Sequence, residues 1–213
     1  MDKLGEKLSV LILAGGPSRR MGQDKAWLDF GGVPLVEHIA RRVLPLTDEL
    51  IFSTNAADRF CPLQRRWPVP TRLVADESLG MGPLAGIASG LRIASYDLVL
   101  VLAVDMPCVQ VPLLFHMASL AADYQAVIPL VPNSRSTEPA PEPLHALYRR
   151  SCLPAITKHL KAGHRRVISF LPDVRTRWVL PKEITRFDPD FTSFRNLNTP
   201  EDWEVIAGHS DCL

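Results

Sequence analysis

The chain alternates short apolar runs with stretches of helical spacing. Residues 8–14, Leu-Ser-Val-Leu-Ile-Leu-Ala, are apolar and rich in branched side chains, which predicts a buried strand. The run ends in Gly15-Gly16-Pro17-Ser18, a loop signal. Over 34–44 the apolar positions are Leu35, Val36, Ile39, Ala40 and Val43, the period of a helix that Pro34 is suited to start. Residues 50–53 read as a second strand, 56–67 as a short helix interrupted by Pro62, and 71–75 as a third strand. Gly82-Pro83 opens a helix with Leu84, Ile87, Ala88 and Leu91 on one face. The most hydrophobic strand is 98–104, followed by a helix over 112–122 and a strand over 126–130.

The second half is more broken. Residues 131–143 hold four prolines among Asn, Ser and Thr, and read as a flexible surface loop between strands. A strand resumes over 144–148, short helices follow over 151–161 and 165–171, and 177–180 reads as an edge strand. Asn198-Thr199-Pro200-Glu201-Asp202-Trp203 combines a cap, a first-turn proline and first-turn acids, so a last helix starts there. Strands alternating with helices predict an α/β fold: a mostly parallel sheet covered on both faces, a three-layer sandwich.

Composition narrows the function classes. The 213 residues suit one domain, and 46% hydrophobic with 22% charged residues is a globular balance. Lys plus Arg number 24 against 23 for Asp plus Glu, so a general nucleic-acid binder is excluded while a local basic pocket is not. The longest apolar run, 98–104, is far below the ~20 residues of a membrane span. The polar, acid-bearing N-terminus does not read as a signal peptide, which points to the cytoplasm. Cys61, Cys108, Cys152 and Cys212 are scattered with no C-x-x-C, so neither a zinc site nor a disulfide framework is expected, and all four read as free thiols.

Candidate chemistry begins at residues 13–25, Leu-Ala-Gly-Gly-Pro-Ser-Arg-Arg-Met-Gly-Gln-Asp-Lys. A buried strand runs into a glycine-rich loop, where backbone N–H groups can meet an anion and Arg19, Arg20 and Lys25 supply positive charge for a polyphosphate. In open α/β sheets such loops lie at the carboxyl ends of strands, where ligands bind. The loop is neither a P-loop nor a dinucleotide fingerprint, because no G-x-x-x-x-G-K-[ST] or G-x-G-x-x-G is present. Asp105 follows the strongest strand, a place from which a carboxylate can hold Mg²⁺ between nucleotide phosphates.

The 13–25 segment resembles the opening motif of the molybdenum cofactor guanylyltransferases, nucleotidyltransferases built on a Rossmann-like sheet. Asp76-Glu77, Gly82-Pro83-Leu84-Ala85-Gly86, Asp105-Met106-Pro107 and Phe194-Arg195-Asn196-Leu197-Asn198-Thr199-Pro200 agree in the same order. The resemblance spans about residues 8–205, a single nucleotidyltransferase domain. It implies transfer of GMP from GTP to the terminal phosphate of molybdopterin or Mo-molybdopterin, with molybdoenzyme apoproteins or their chaperones as further partners. It implies Mg²⁺ on Asp105, and Lys25, Asp105 and Arg19 as catalytic groups. It implies nucleotide contacts at Leu13, Ala14, Gly15, Gly16, Asn55, Asp76, Gly82 and Pro83.

Gly15-Gly16 and the 82–86 segment favour guanylyl over the related cytidylyl enzymes by resemblance. A cytidylyltransferase on the same pterin and a nucleotide-binding module without catalysis remain as alternatives. Asn196 and Asn198 resemble the family's paired asparagines, with turn and capping chemistry as the other reading. His145 reads as a strand histidine facing a pocket or solvent. It is not needed as a general base, since an attacking phosphate oxygen is already ionised. Lys161, His164, Arg165 and Arg166 are either a solvated basic face or a site for the anionic pterin.

Overall fold

β1 (Leu8–Leu13) is buried on both faces, which is why its residues are nearly all apolar rather than alternating. The computed structural model describes residues 5–15, 24–75, 82–133, 136–199, 202, 203, 206 and 212. After β1 come a small hairpin of β2 (Asp29–Phe30) and β3 (Val33–Pro34), then α1 (Leu35–Val43), β4 (Glu49–Ser53), α2 (Ala57–Gln64) and β5 (Thr71–Val74). The chain continues through α3 (Pro83–Ile93), β6 (Leu98–Ala103), α4 (Val111–Ser119), β7 (Ala126–Val131), β8 (Ala140–Pro141) and β9 (His145–Arg149). It ends with α5 (Leu153–Lys161), β10 (Thr176–Val179) and α6 (Pro181–Ile184).

The main sheet has the order β10-β7-β9-β6-β1-β4-β5, with β8 paired to β7. β1 is parallel to both β4 and β6, β4 to β5, and β10 to β7. β9 is antiparallel to β6 and to β7, so along the main path it alone runs backwards. The expected mostly parallel sheet is present, with this one reversal. Its effect is positional: Leu102 of β6 faces His145 of β9, so the residues that enter β9 lie at the edge where β6 ends.

Two apolar layers cover the sheet. On one side Val10, Ile12, Phe52 and Leu100 meet Ile39 and Val43 of α1, Phe60 of α2 and Leu113 and Met117 of α4. On the other side Leu11, Ile51, Val99 and Ala146 meet Leu84, Ile87 and Leu91 of α3 and Ile156 of α5. α3 packs closely on β1, because a Cβ at Gly90 would stand 2.2 Å from Leu11 Cδ2.

Several elements differ from the sequence expectation. Residues 165–171 do not form an α-helix; Val167–Asp173 is a 3-10 helix containing Pro172. Within the proline-rich 131–143 segment, Ala140 and Pro141 pair with Val131 and Leu130. The cysteines also depart from it: Cys108 and Cys212 are joined by a disulfide across a sequence separation of 104, leaving Cys61 exposed and Cys152 buried as thiols. Isolated cysteines so far apart carry no local spacing signal, so their pairing shows only once the fold brings them together. Among the described residues no helix is long and apolar enough to cross a membrane.

Candidate functional site

The carboxyl ends of β1, β4 and β6 meet at one edge. The Ala14 N–H donates to Ser53 O at 2.9 Å and the Val104 N–H to Leu13 O at 3.1 Å, so the strand ends stay laced where the chain leaves the sheet. Leu13, Ala14 and Gly15 lie here, as expected. A Cβ built on Gly15 would meet Ser53 O at 3.6 Å and the Asn55 amide nitrogen at 3.8 Å, ordinary contacts. The protein's own packing therefore does not demand glycine at 15, since a methyl there would make ordinary contacts with 53–55. Gly16, Arg19 and Asp76 lie outside the described residues.

The chain re-enters at Asp24. Its carboxylate accepts from the Ala26 N–H at 3.2 Å, capping the 3-10 turn Lys25–Trp27, and from Arg59 Nη1 at 3.0 Å. Arg59 also lies over the Trp27 ring, 5.0 Å from its centroid, and Trp27 packs edge-on against buried Phe60. This anchorage aims Lys25 inward. Lys25 Nζ donates to Asn198 Oδ1 at 2.6 Å and stands 3.4 Å from Asp105 Oδ2. The pair is partly shielded, with side-chain exposures of 17% for Lys25 and 28% for Asp105.

Asp105 sits just beyond β6, with Met106 and Cys108 buried beside it. Its carbonyl accepts from the Leu197 N–H at 2.7 Å, which brings the 196–199 segment to the same edge. Thus Lys25, Asp105 and Asn198, singled out separately from sequence, converge. Asn196 is exposed on the same segment.

Gly82 and Pro83 begin α3. Gly82 has φ of 75°, a left-handed conformation that favours glycine, and a Cβ there would lie 3.6 Å from Arg165 O. The 164–166 stretch of the basic cluster therefore packs at the N-terminus of α3. His164 Nδ1 is 2.9 Å from His159 Nδ1, and His159 Nε2 is 3.3 Å from Asp173 Oδ2, which Lys158 also binds at 2.8 Å.

Two residues stand differently from the sequence reading. His145 faces neither pocket nor solvent. It is fully buried, and both ring nitrogens lack a hydrogen-bond partner among the described residues. Burial pushes its pKa down to about 4, so the ring is neutral and packs edge-on against Phe194. His145 through Tyr148 are all buried, so polarity was a poor guide to the orientation of His145. Glu142, to which the sequence assigned no role of its own, enters β9 at the site edge. Burial pushes its carboxyl up, and the nearby Asp105 charge adds to that. The signal for it was topological: only the reversal of β9 takes residue 142 to the end of β6.

For a metal, the donor set is sparse. Among the described residues no three His, Cys, Asp or Glu side chains gather as a metal site. Mg²⁺ commonly takes one or two carboxylates and completes its shell with phosphate oxygens and water, so the half-shielded Asp105 could supply one such oxygen, in competition with the Lys25 ammonium 3.4 Å away.

A Rossmann-like sheet carrying a lysine–carboxylate pair where its central strands end is the arrangement of a nucleotide-handling α/β protein. The sequence profile of the MobA-like NTP transferase domain matches residues 10–175. The chain belongs to this family of nucleotidyltransferases.

It is 35% identical to a probable molybdenum cofactor guanylyltransferase of Peptoclostridium acidaminophilum, over 93% of this chain and 88% of that one. It is 36% identical to the molybdenum cofactor guanylyltransferase of Pseudomonas fluorescens, over 95% and 93%. Among solved structures it is similar to molybdopterin-guanine dinucleotide biosynthesis protein A of Archaeoglobus fulgidus. That match has a TM-score of 0.75 and 27% identity, over 92% of this chain and 95% of that one. The fold is shared with 4-diphosphocytidyl-2C-methyl-D-erythritol synthase of Anaerococcus prevotii, at TM-score 0.70 and 16% identity over 94% and 96%.

Proposed function

We propose that this chain transfers GMP from GTP to the terminal phosphate of molybdopterin or Mo-molybdopterin, releasing pyrophosphate. The observation that carries the reading is the Lys25–Asp105 pair, held by Asn198 at the carboxyl edge of β6 in a chain of this family. The names of the relatives at 35–36% identity point to the guanine nucleotide and the molybdenum cofactor.

In this reading an acceptor phosphate oxygen attacks the α-phosphorus of GTP, and the bond from that phosphorus to the bridging oxygen of pyrophosphate breaks. The attacking oxygen is already ionised at neutral pH, so no general base is needed. The protein's task is alignment and charge neutralisation. Lys25 turns its ammonium toward the phosphates, and the open edge at Gly15 and Asn55 receives the nucleoside. At Gly82-Pro83 α3 begins, and the N–H groups that follow Pro83, which has none of its own, would meet the phosphates. Arg19, Gly16 and Asp76 join this list through the sequence resemblance. Asp105 would hold Mg²⁺, which when bound neutralises charge on the phosphates. The basic stretch 164–166, packed at Gly82, is placed to meet an anionic acceptor. We take residues 1–213 as one nucleotidyltransferase domain with its core over 8–205, acting in the cytoplasm, with apoenzymes or their chaperones taking the product.

The test is pyrophosphate release by the purified protein with molybdopterin and either GTP or CTP, with and without MgCl₂. GTP turnover that needs both acceptor and Mg²⁺ is expected. Faster turnover of CTP moves the protein to cytidylyl transfer, and nucleotide binding without turnover leaves a binding module.

A further inference from the structure

Asp202 lies one step behind the groups just described. Its Oδ2 accepts from the backbone N–H of Asn198 and from that of Thr199, each at 2.8 Å. In return, Thr199 Oγ1 accepts from the Asp202 N–H at 3.2 Å. This reciprocal arrangement is a capping box, which ordinarily does no more than satisfy orphan N–H groups at a helix start.

Here the capped backbone carries the side chain that meets Lys25. Asn198 gives its N–H to Asp202 and its carboxamide oxygen to Lys25 Nζ, 2.6 Å away. A continuous series of contacts therefore runs from Asp202 through Asn198 and Lys25 to Asp105. Both of its flanks are fixed. Leu197 is buried and donates to Asp105 O, while Trp203 packs edge-on against buried Phe30 with ring centroids 5.3 Å apart. The Asp202 carboxyl lies below the usual carboxylate range, first because the Asn198 N–H favours the ionised form, with the Lys25 charge also contributing. A carboxylate, not a carboxylic acid, is thus the capping group at neutral pH.

We propose that Asp202 is a positioning residue for nucleotidyl transfer: it holds Asn198 so that its carboxamide keeps Lys25 beside Asp105. The proposal rests on the nucleotidyltransferase reading of this site. Without the carboxylate, two N–H groups turn to water, the 196–199 segment loosens, and Lys25 loses the shorter of these two contacts, that to Asn198, while Asp105 remains beside it.

The first measurement needs no nucleotide. Acetylation by N-hydroxysuccinimide acetate, followed by peptide mass spectrometry, reports how firmly the Lys25 amine is held; exposed Lys161 is the internal reference. Asp202→Ala should speed Lys25 labelling several-fold at an unchanged Lys161 rate, and Asp202→Glu should restore most of the protection. Asn198→Ala should speed it by a similar factor, and the double variant should be no faster than either single variant, since both act on one contact series.

The second measurement is steady-state GTP turnover. There Asp202→Ala should lower kcat/KM about tenfold, the scale of a modest misplacement, and Asp202→Glu should recover most of it. If Asp202→Ala does not fold, Thr199→Val removes the hydroxyl arm alone and should shift labelling the same way by less. Unchanged Lys25 labelling in a folded variant, or additive effects in the double variant, overturns the proposal. Labelling that responds as expected in a protein without nucleotide turnover sinks the functional reading and leaves the contact series standing.

Discussion

Lys25 and Asn198 are 173 positions apart, yet Nζ and Oδ1 lie 2.6 Å from each other. The lysine is thus oriented before any substrate arrives, by a residue from the far end of the chain. Replacing Lys25 by Ala should lower kcat/KM for GTP by on the order of 10²–10³, through loss of a charge facing the phosphates. Lys25→Arg should recover only part of this, because a planar guanidinium does not place its charge where a compact ammonium does. Lys7, which lies over the Tyr96 ring, should tolerate Ala without a kinetic effect. Initial rates with varied GTP decide the matter, and equal kinetics for wild type and Lys25→Ala would remove the lysine from the phosphate site.

Asp105→Asn keeps the shape of the side chain and removes its charge. It should cut Mg²⁺-dependent turnover by on the order of 10³-fold while the backbone link from Leu197 N–H to Asp105 O persists. Mn²⁺ titration followed by electron paramagnetic resonance, in the presence of GTP, should show weaker metal uptake in the variant. Unaltered Mn²⁺ affinity would place the metal elsewhere.

The sheet, its central strand and the chemistry-bearing ends of β1 and β6 were legible because each rests on local pattern. Residues 8–14 are a short bounded run rich in branched side chains, which favours a covered strand, and Pro83 after Gly82 is suited to begin a helix. Strand direction has no such signature. β9 is buried along most of its length, as the parallel strands β1 and β6 are, so nothing in His145–Arg149 announces that it runs backwards or that Glu142 reaches the site edge. The Lys25–Asn198 contact is equally silent, since tertiary packing alone creates it. One missed element did carry a signal. Gly31 and Gly32 have φ of 64° and 86° and link β2 to β3, as two-residue hairpin turns require.

His145 makes stability depend on acid. The unfolded histidine titrates near the ordinary imidazole value of 6.5 and the buried one at about 4, so the unfolded chain binds the extra proton between these values. The neutral ring's full stability is present above about pH 6.5 and drains away as pH falls toward 4, by about 3 kcal/mol at most. His38 and His116, whose pKa values are also lowered mainly by burial, act in the same direction. Urea unfolding at pH 7.5, 5.5 and 4.5 should show this loss, and His145→Leu should flatten it. An unchanged pH slope in that variant would assign the acid sensitivity to other groups.

The cysteines separate by accessibility. Without reductant, the native protein should titrate one thiol with Ellman's reagent, Cys61, because Cys152 is buried and its pKa is pushed up to about 12 by that burial. Guanidinium should raise the count to two, and prior reduction to four, as the Cys108–Cys212 bond opens. A count of four in unfolded, unreduced protein would contradict the cross-link. Where it forms, closing a loop of this length stabilises the fold by about 2–5 kcal/mol, so reduction should lower the melting temperature.

Because Lys25 depends on Asn198, the order in which the protein is synthesised matters. A ribosome that has delivered β10, at residues 176–179, has already made every strand of the sheet, yet the lysine's acceptor is still unmade. A chain cut before residue 198 therefore holds the strands of the described sheet but not this contact to Lys25. Premature termination just short of residue 198 should yield a product with the strands in place and a slack lysine. The Lys25–Asn198 contact arrives with the segment around residue 198, not gradually with the length of chain already folded.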